Sequence, residues 1–313
     1  MKKLTKFNAP KIAIALALIL AAGKGTVGFF CGSLAIMSAA FDSILDVIAS
    51  MINLIFIKKA DAPPDFEHQF GHGKMEAYAA LLQSVIIFIT GLLILYTAAQ
   101  KILNPVMPNI NILGISMMLI AIAFSLIITV MLSKIAEREN SQALRGDALH
   151  YRVDVLTNFA ILIAVLIVKF SGLTVIDPIV GGTLALYIMA NAVRLHLSSL
   201  NIILDRGIPT EELKKLEEKF KLFSAYQHDY HQLRTRTDGN RIFADVHVTL
   251  CRTISLLEAH AIVDKIEETL CKGNNVDLLV HPEPCPGNCN ENCKRKAVLD
   301  FLKSEEEKEL RDG

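Results

Sequence analysis

Two short stretches place acidic and imidazole groups one helical turn apart. In "FDSILD" Asp42 and Asp46 are separated by four residues, and in "HYRVD" His150 and Asp154 repeat the spacing. On a helix, residues at i and i+4 share a face. Three carboxylates and one imidazole form a four-ligand set suited to tetrahedral Zn²⁺ and hard enough to accept related divalent ions. The neighbouring sequence is apolar, and a central Asp in a membrane helix costs about 2.5 to 3.5 kcal/mol, so three ask for roughly 8 to 10 kcal/mol unless something compensates. Two helices with facing pairs compensate by sharing a cation. The competing reading has these residues pinning helices together through polar neighbours, and two matched pairs weigh against it.

Further donors lie elsewhere. In "DAPPDFEHQFGHGKMEAYAA" Asp65, His68 and His72 stand at i, i+3 and i+7, a spacing that serves a metal only if the backbone folds back, which Pro63, Pro64, Gly71 and Gly73 permit. Of nine histidines, five fall beyond residue 205, where His231, His247, His260 and His281 form a candidate set, and only His196 and His228 belong to no set. Lys24, between two glycines in an apolar run, reads as a lysine that snorkels or pairs with a carboxylate.

These residues must be positioned by membrane helices. Of the 313 residues, 52% are apolar and the formal net charge is zero, which gives no electrostatic ground for a nucleic-acid partner. Runs long enough to cross about 30 Å of hydrocarbon lie near Ile12 to Phe30, Ala35 to Ile57, Ala77 to Ala99, Ile112 to Leu132, Ala148 to Val168 and Ile176 to Val193. The first is a retained helix and not a cleaved signal, because the apolar run continues past Lys24. Lysine and arginine gather before the first span, between the second and third, and between the fourth and fifth, so both termini are expected in the cytoplasm of a multi-pass inner-membrane protein.

From about Asp205 the pattern changes. "RGIPTEELKKLEEKFKLF" has helical spacing with Thr210 as its expected cap. "RIFADVHVTL" alternates as a strand after the Asp238, Gly239 turn, "SLLEAHAIVDKIEETLCKG" is a helix with a Ser255, Glu258 capping box stopped by Gly273, and "VDLLV" is a further strand. The expected fold class is a six-helix polytopic membrane protein with a small C-terminal α+β domain. The expected domains are residues 1–204 in the membrane, 205–284 as the α+β metal-binding and dimerisation domain, and 285–313 as a charged tail. In that tail Cys285, Cys289 and Cys293 recur every four residues. A reducing cytoplasm disfavours disulfides, leaving thiolate metal binding or a solvated tail. Cys31, Cys251 and Cys271 read as isolated structural thiols.

Taken together, "GSLAIMSAAFDSILDVIAS", "HQFGHGKMEAYAAL", "ENSQALRGDALHYRVDVLTN" and "VHPEPCPGNC" resemble the cation diffusion facilitator family, close to its bacterial zinc and ferrous-iron efflux branch, over residues 12 to about 285. The resemblance implies a homodimer with a metallochaperone-like cytoplasmic domain, exporting divalent metal, Zn²⁺ first and Cd²⁺ or Fe²⁺ besides, in exchange for protons across the lipid bilayer. It implies a transport site at Asp42, Asp46, His150 and Asp154 and a loop site at Asp65, His68 and His72. It also implies a cytoplasmic site at His231, His247, His260, His281 and Glu283, where the branch carries Asp at the last position, and a dimer-holding contact at Lys74 and Asp205. Two rival readings are an intramembrane metalloenzyme, weakened because four protein ligands leave no open position for water and no HExxH or GxSxG pattern is present, and a membrane metal sensor that moves nothing.

Overall fold

The computed structural model describes residues 5–31, 34–104, 112–171, 175–272, 275–287, 294, 296–300 and 302. Within its helices, the side chains of residues 31, 34–36, 38, 39, 42, 112–114, 164–166, 168–171 and 177 lie outside that description. The chain divides into two units, Met1–Ile203 and Leu204–Gly313.

Among the described residues, the first unit holds six long helices: α1 (Asn8–Cys31), α2 (Leu34–Ala60), α3 (Met75–Leu103), α4 (Ile112–Arg138), α5 (Gln142–Ser171) and α6 (Ile176–Ile203). Among the described residues, four stretches are long and apolar enough to cross a membrane: Asn8–Phe30, Met75–Leu103, Ile115–Arg138 and Pro178–Ile203. The other two helices, α2 and α5, are as long at 27 and 30 residues. They carry Asp46, His150 and Asp154.

Small residues let these helices approach. Ala9 and Ala13 of α1, Ala79 of α3, Ala136 of α4 and Ala143 and Ala148 of α5 are buried with Ile57, Ile128, Leu132 and Leu144 in one cluster, the close packing that substitutes for hydrophobic drive in lipid. The pair α3 and α6 is tightest at Gly91, where a Cβ would stand 2.6 Å from Met189 Cγ. Large apolar side chains such as Ile89, Leu93, Ile127 and Leu186 face outward, as expected of a surface meant for acyl chains.

The second unit begins with α7 (Thr210–Phe220). Thr210 is its first helical residue and not its cap; Pro209 holds the cap position without a side-chain bond. The preset φ of a proline defines the start there instead of a hydroxyl. Strand β1 (Asp229–Thr237) turns at Asp238 and Gly239 into β2 (Ile242–Leu250), α8 (Leu256–Cys271) crosses over, and β3 (Val276–Pro284) closes a three-stranded sheet of order β1-β2-β3. The first pair is antiparallel and the second parallel. At the turn, Asp238 Oδ1 accepts from the backbone N–H groups of Asn240 and Arg241, and Gly239 takes φ +102°, a conformation that glycine adopts freely. The Ser255, Glu258 capping box is present on α8; its expected stop, Gly273, lies outside the described residues.

One face of the sheet is closed. Ala244, Val246, Val248 and Leu250 of β2 and Leu278 and Val280 of β3 pack with Phe220 of α7 and Ile262, Ile266 and Leu270 of α8. Each fully buried aliphatic or aromatic chain contributes about 1.5 to 3 kcal/mol. Because side chains alternate along a strand, burying these positions turns Phe243, Asp245, His247, His281 and Glu283 to the opposite face. The tail also differs from a solvated segment: Val298 is fully buried in this core, and Lys294 Nζ donates to the carbonyls of Ser224 and Gln227.

Candidate metal centres

Helices α2 and α5 pack together in the first unit and bring three of the four expected membrane ligands together. His150 Nε2 lies 2.9 Å from Asp46 Oδ1 and 4.0 Å from Asp154 Oδ2. One ligand atom from each of Asp46, His150 and Asp154 lies within 4.8 Å of the others. His150 is buried, whereas Asp46 and Asp154 keep 24% and 28% of their side-chain surface, which leaves the centre an opening. The side chain of Asp42, one turn further along α2, lies outside the described residues. Two carboxylates around one imidazole make a net negative, mixed oxygen and nitrogen cage, the donor chemistry of Zn²⁺ and its neighbours in the series.

The loop between α2 and α3 folds back as its prolines and glycines permit. Asp65 Oδ1 accepts from the backbone N–H of His68 at 2.6 Å and of Glu67 at 3.0 Å, an Asx turn that swings residue 68 towards residue 65. Gly71, at φ +83°, donates its N–H to the His68 carbonyl and reverses the chain again. His68 Nδ1 then lies 3.3 Å from Asp65 Oδ1 and His72 Nε2 3.4 Å from Asp65 Oδ2. The backbone N–H of His68 and the adjacent imidazoles hold the Asp65 carboxyl below its ordinary range, against a smaller opposing effect of burial. His72 is buried with Nδ1 lacking a partner.

The third centre stands on the open face of the sheet. The register aligns His231 with His247 and His247 with His281, so three imidazoles form a row across three strands, and Thr249 with Glu283. Glu283 reaches back to His247 Nδ1 at 2.7 Å and His231 Nε2 at 3.2 Å. The His247 and His281 rings are 4.8 Å apart. His231, His247 and Glu283 each place a ligand atom within 4.8 Å of the others. The hydrogen bond with His247 holds the Glu283 carboxyl below its usual range, with neighbouring imidazole charge adding to that and burial opposing it. His260, on α8, lies outside this trio and pairs with Asp264 at 3.4 Å.

The alignment of His231 depends on a β-bulge. Register shifts between His231 and Arg234, and Gln232 sits at φ +51°, a left-handed conformation that costs a non-glycine residue about 1 to 2 kcal/mol. Sequence reading also ended the last strand at Val280; its continuation to Pro284 is what carries His281 and Glu283 along β2. Cross-strand pairing fixes that extension, and no local spacing reports it.

Lys74 Nζ donates to the Ile203 carbonyl, and Asp205, at φ +55°, pairs with Arg236 at 3.8 Å. Cys285 is half-buried, while Cys289 and Cys293 lie outside the described residues. Cys251 is disulfide-bonded and not the isolated thiol expected; Cys271 is free. Sequence reading missed Ser50, Asn53 and Asp147, which are buried beside the membrane trio. The expected fifth span began at Ala148 and left Asp147 outside it, but α5 starts at Gln142. Their signal was available as continuation of the ligand spacing along α2 and α5.

Comparison with known proteins places residues 11–204 in the cation efflux transmembrane domain family and residues 208–285 in the cation efflux protein cytoplasmic domain family. The chain is 33% identical over 273 residues to the cation-efflux pump FieF of Pectobacterium atrosepticum, covering 87% of this chain and 90% of that protein. It is 32% identical over 279 residues to the pump of the same name from Serratia proteamaculans, covering 89% and 92%.

Proposed function

The chain belongs to the cation efflux family, and on that premise we propose that this divalent-cation efflux transporter exports Zn²⁺ in exchange for protons, with Fe²⁺ and Cd²⁺ as further substrates. Members of this family are membrane transporters and not enzymes. The observation that carries the substrate assignment is the Asp46, His150, Asp154 cluster on two facing helices, and Asp42, four residues before Asp46 in the sequence, is proposed as the fourth ligand.

Binding needs ionised carboxylates and a neutral imidazole, so metal and protons compete for the same atoms. The competition is the exchange. Metal loads from the cytoplasm, α2 and α5 move against the rest of the bundle, and protons from the far side displace the ion, the alternating access expected of a midplane site. His150 contributes a borderline-soft nitrogen that favours zinc-like ions over Mn²⁺, and an imidazole's ordinary pKa of about 6.5 lets a modest proton gradient contest the metal.

The cytoplasmic unit binds metal through His231, His247, His281 and Glu283, and pairs two copies of the chain into a homodimer in which Lys74 and Asp205 form a stabilising contact. The loop trio takes up a further ion. Both termini face the cytoplasm of the inner membrane: a cysteine at Asn109 is expected to label with an impermeant reagent on intact cells, and one at Asp65 only after lysis.

Purified protein in proteoliposomes, assayed with a panel of metals under an imposed pH gradient, tests the whole reading. Zinc flux coupled to proton counterflow is expected. Zinc binding without flux would instead make the chain a sensor.

A further inference from the structure

The same two helices carry a second polar layer that the exchange cycle does not use. On α2, Ser50 and Asn53 follow Asp46 at i+4 and i+7; on α5, Asp147 precedes His150 by three residues and Tyr151 follows it. This layer therefore lies about one turn from the ligand trio, towards the C-terminal end of α2 and the loop that holds Asp65, His68 and His72. All four residues are sealed from solvent, at 0% for Ser50 and Asp147, 2% for Tyr151 and 3% for Asn53.

Its hydrogen bonds do not balance. Ser50 Oγ donates to Asp147 Oδ1 at 2.9 Å and lies 3.0 Å from the Tyr151 hydroxyl, which serves as donor to it; Asn53 Nδ2 donates to the Ala143 carbonyl at 2.8 Å. The donors of Ser50 and Tyr151 are thereby used. Two acceptors remain, Asp147 Oδ2 and Asn53 Oδ1, both buried and without a partner. Asn53 Nδ2 reaches the carbonyl of Ala143, one turn before Asp147 on α5, so the two side chains with bare oxygens lie at neighbouring levels of the facing helices. Each buried acceptor left bare costs about 1 to 3 kcal/mol, and more when it is charged. A cation held between α2 and α5 at this level would satisfy both.

We propose that Asp147 and Asn53, flanked by Ser50 and Tyr151, form an all-oxygen station through which the transported divalent cation passes between the loop side of the bundle and the Asp46, His150, Asp154 centre. The inference rests on the transport reading above. One carboxylate at the station against several at the centre makes the station the shallower well, so an ion is handed on and not trapped. Its hard oxygen donors carry no preference for the softer ions, which leaves selectivity to His150.

The test uses full-length protein in proteoliposomes with Zn²⁺ or Cd²⁺ alone as probe. Asp147→Asn, which keeps the shape and the Ser50 contact, is expected to lower Zn²⁺ flux by at least about tenfold, the cost of an impaired ligand, while equilibrium Zn²⁺ binding by the solubilised protein and its unfolding temperature hold. Ser50→Ala and Tyr151→Phe, which leave both bare oxygens in place, are expected to keep most of the flux. Asp147→Cys puts a thiolate on the path and is expected to raise the ratio of Cd²⁺ to Zn²⁺ flux over wild type. Near-wild-type Zn²⁺ flux in folded Asp147→Asn protein overturns the station, as does a loss in Ser50→Ala equal to that in Asp147→Asn, which would make the layer helix-pinning only. An unchanged Cd²⁺ to Zn²⁺ ratio in Asp147→Cys protein overturns it too. If wild-type protein moves no metal, the transport reading itself fails, and that outcome is separate from a station that fails while wild-type flux is intact.

Discussion

The membrane trio and the sheet trio hold similar donors by different means. Asp46, His150 and Asp154 come from two helices, and the one pair within a helix, His150 and Asp154, is fixed by helix geometry alone. His231, His247 and Glu283 come from three strands, and their meeting depends on register, a bulge and an extended edge strand. The first centre sits between two packed helices of the bundle. The second sits on a sheet locked by a continuous core. Under the proposed transport cycle the first centre must bind and release its ion, which two helices joined by side-chain contacts suit, and the second must stay assembled, which a hydrogen-bonded sheet suits.

The sharpest way to break this contrast is to remove one ligand from each centre. Asp154→Ala is expected to lower zinc flux by at least about 100-fold, the upper range for loss of a supporting or direct ligand, in protein that still folds and inserts. His247→Ala is expected to leave flux measurable. Proteoliposome flux normalised to folded protein decides, and near-normal flux from Asp154→Ala would dissolve the distinction. His150→Asp sharpens it further, since a fourth carboxylate is expected to keep a folded protein, admit Mn²⁺ and alter the dependence of flux on pH.

The sheet centre should appear in stability instead. The cytoplasmic fragment from Pro209 is expected to gain about 2.7 kcal/mol when zinc is supplied at a hundred times its Kd, and paired His247→Ala and His281→Ala changes are expected to abolish that gain in thermal unfolding. Without metal the sign for Glu283 is set by its lowered pKa. Its contribution is fully present above the ordinary glutamate value of about 4.3 and is lost as pH falls through the lower folded-state value. An acid titration of the metal-free fragment that loses less stability in Glu283→Gln than in wild type is the expected result.

The bulge predicts a smaller effect. Gln232→Val is expected to destabilise the fragment by about 1 to 2 kcal/mol, because a β-branched residue tolerates positive φ poorly, and Gln232→Gly is expected to be near neutral. Both are read from urea midpoints, and equal midpoints would remove the bulge as a stored constraint. Smallest is Ser255→Ala, which breaks the capping box of α8 for about 1 kcal/mol and leaves both centres intact.

What the sequence alone determined about this protein is local. Apolar runs of about 20 residues specify membrane helices whatever surrounds them, because unpaired backbone groups have no other partner in hydrocarbon. The i, i+4 spacing of His150 and Asp154 survives folding because the helix enforces it. The same holds for the Ser255, Glu258 box and for the alternation of β2, which settles which face is buried. Tertiary structure decided what depends on a second segment. The bulge at Gln232 and the run of β3 to Pro284 follow from pairing with β2, so residues distant in sequence become a row of ligands only once register exists. Asp147 looked like a residue just outside a span, and only the packing of α2 against α5 made it a fully buried carboxylate. Thr210 likewise stood ready as a cap, but the proline before it set the helix start. The physical division is between interactions within one turn or one pleat, which a sequence window contains, and interactions that exist only after two surfaces have met.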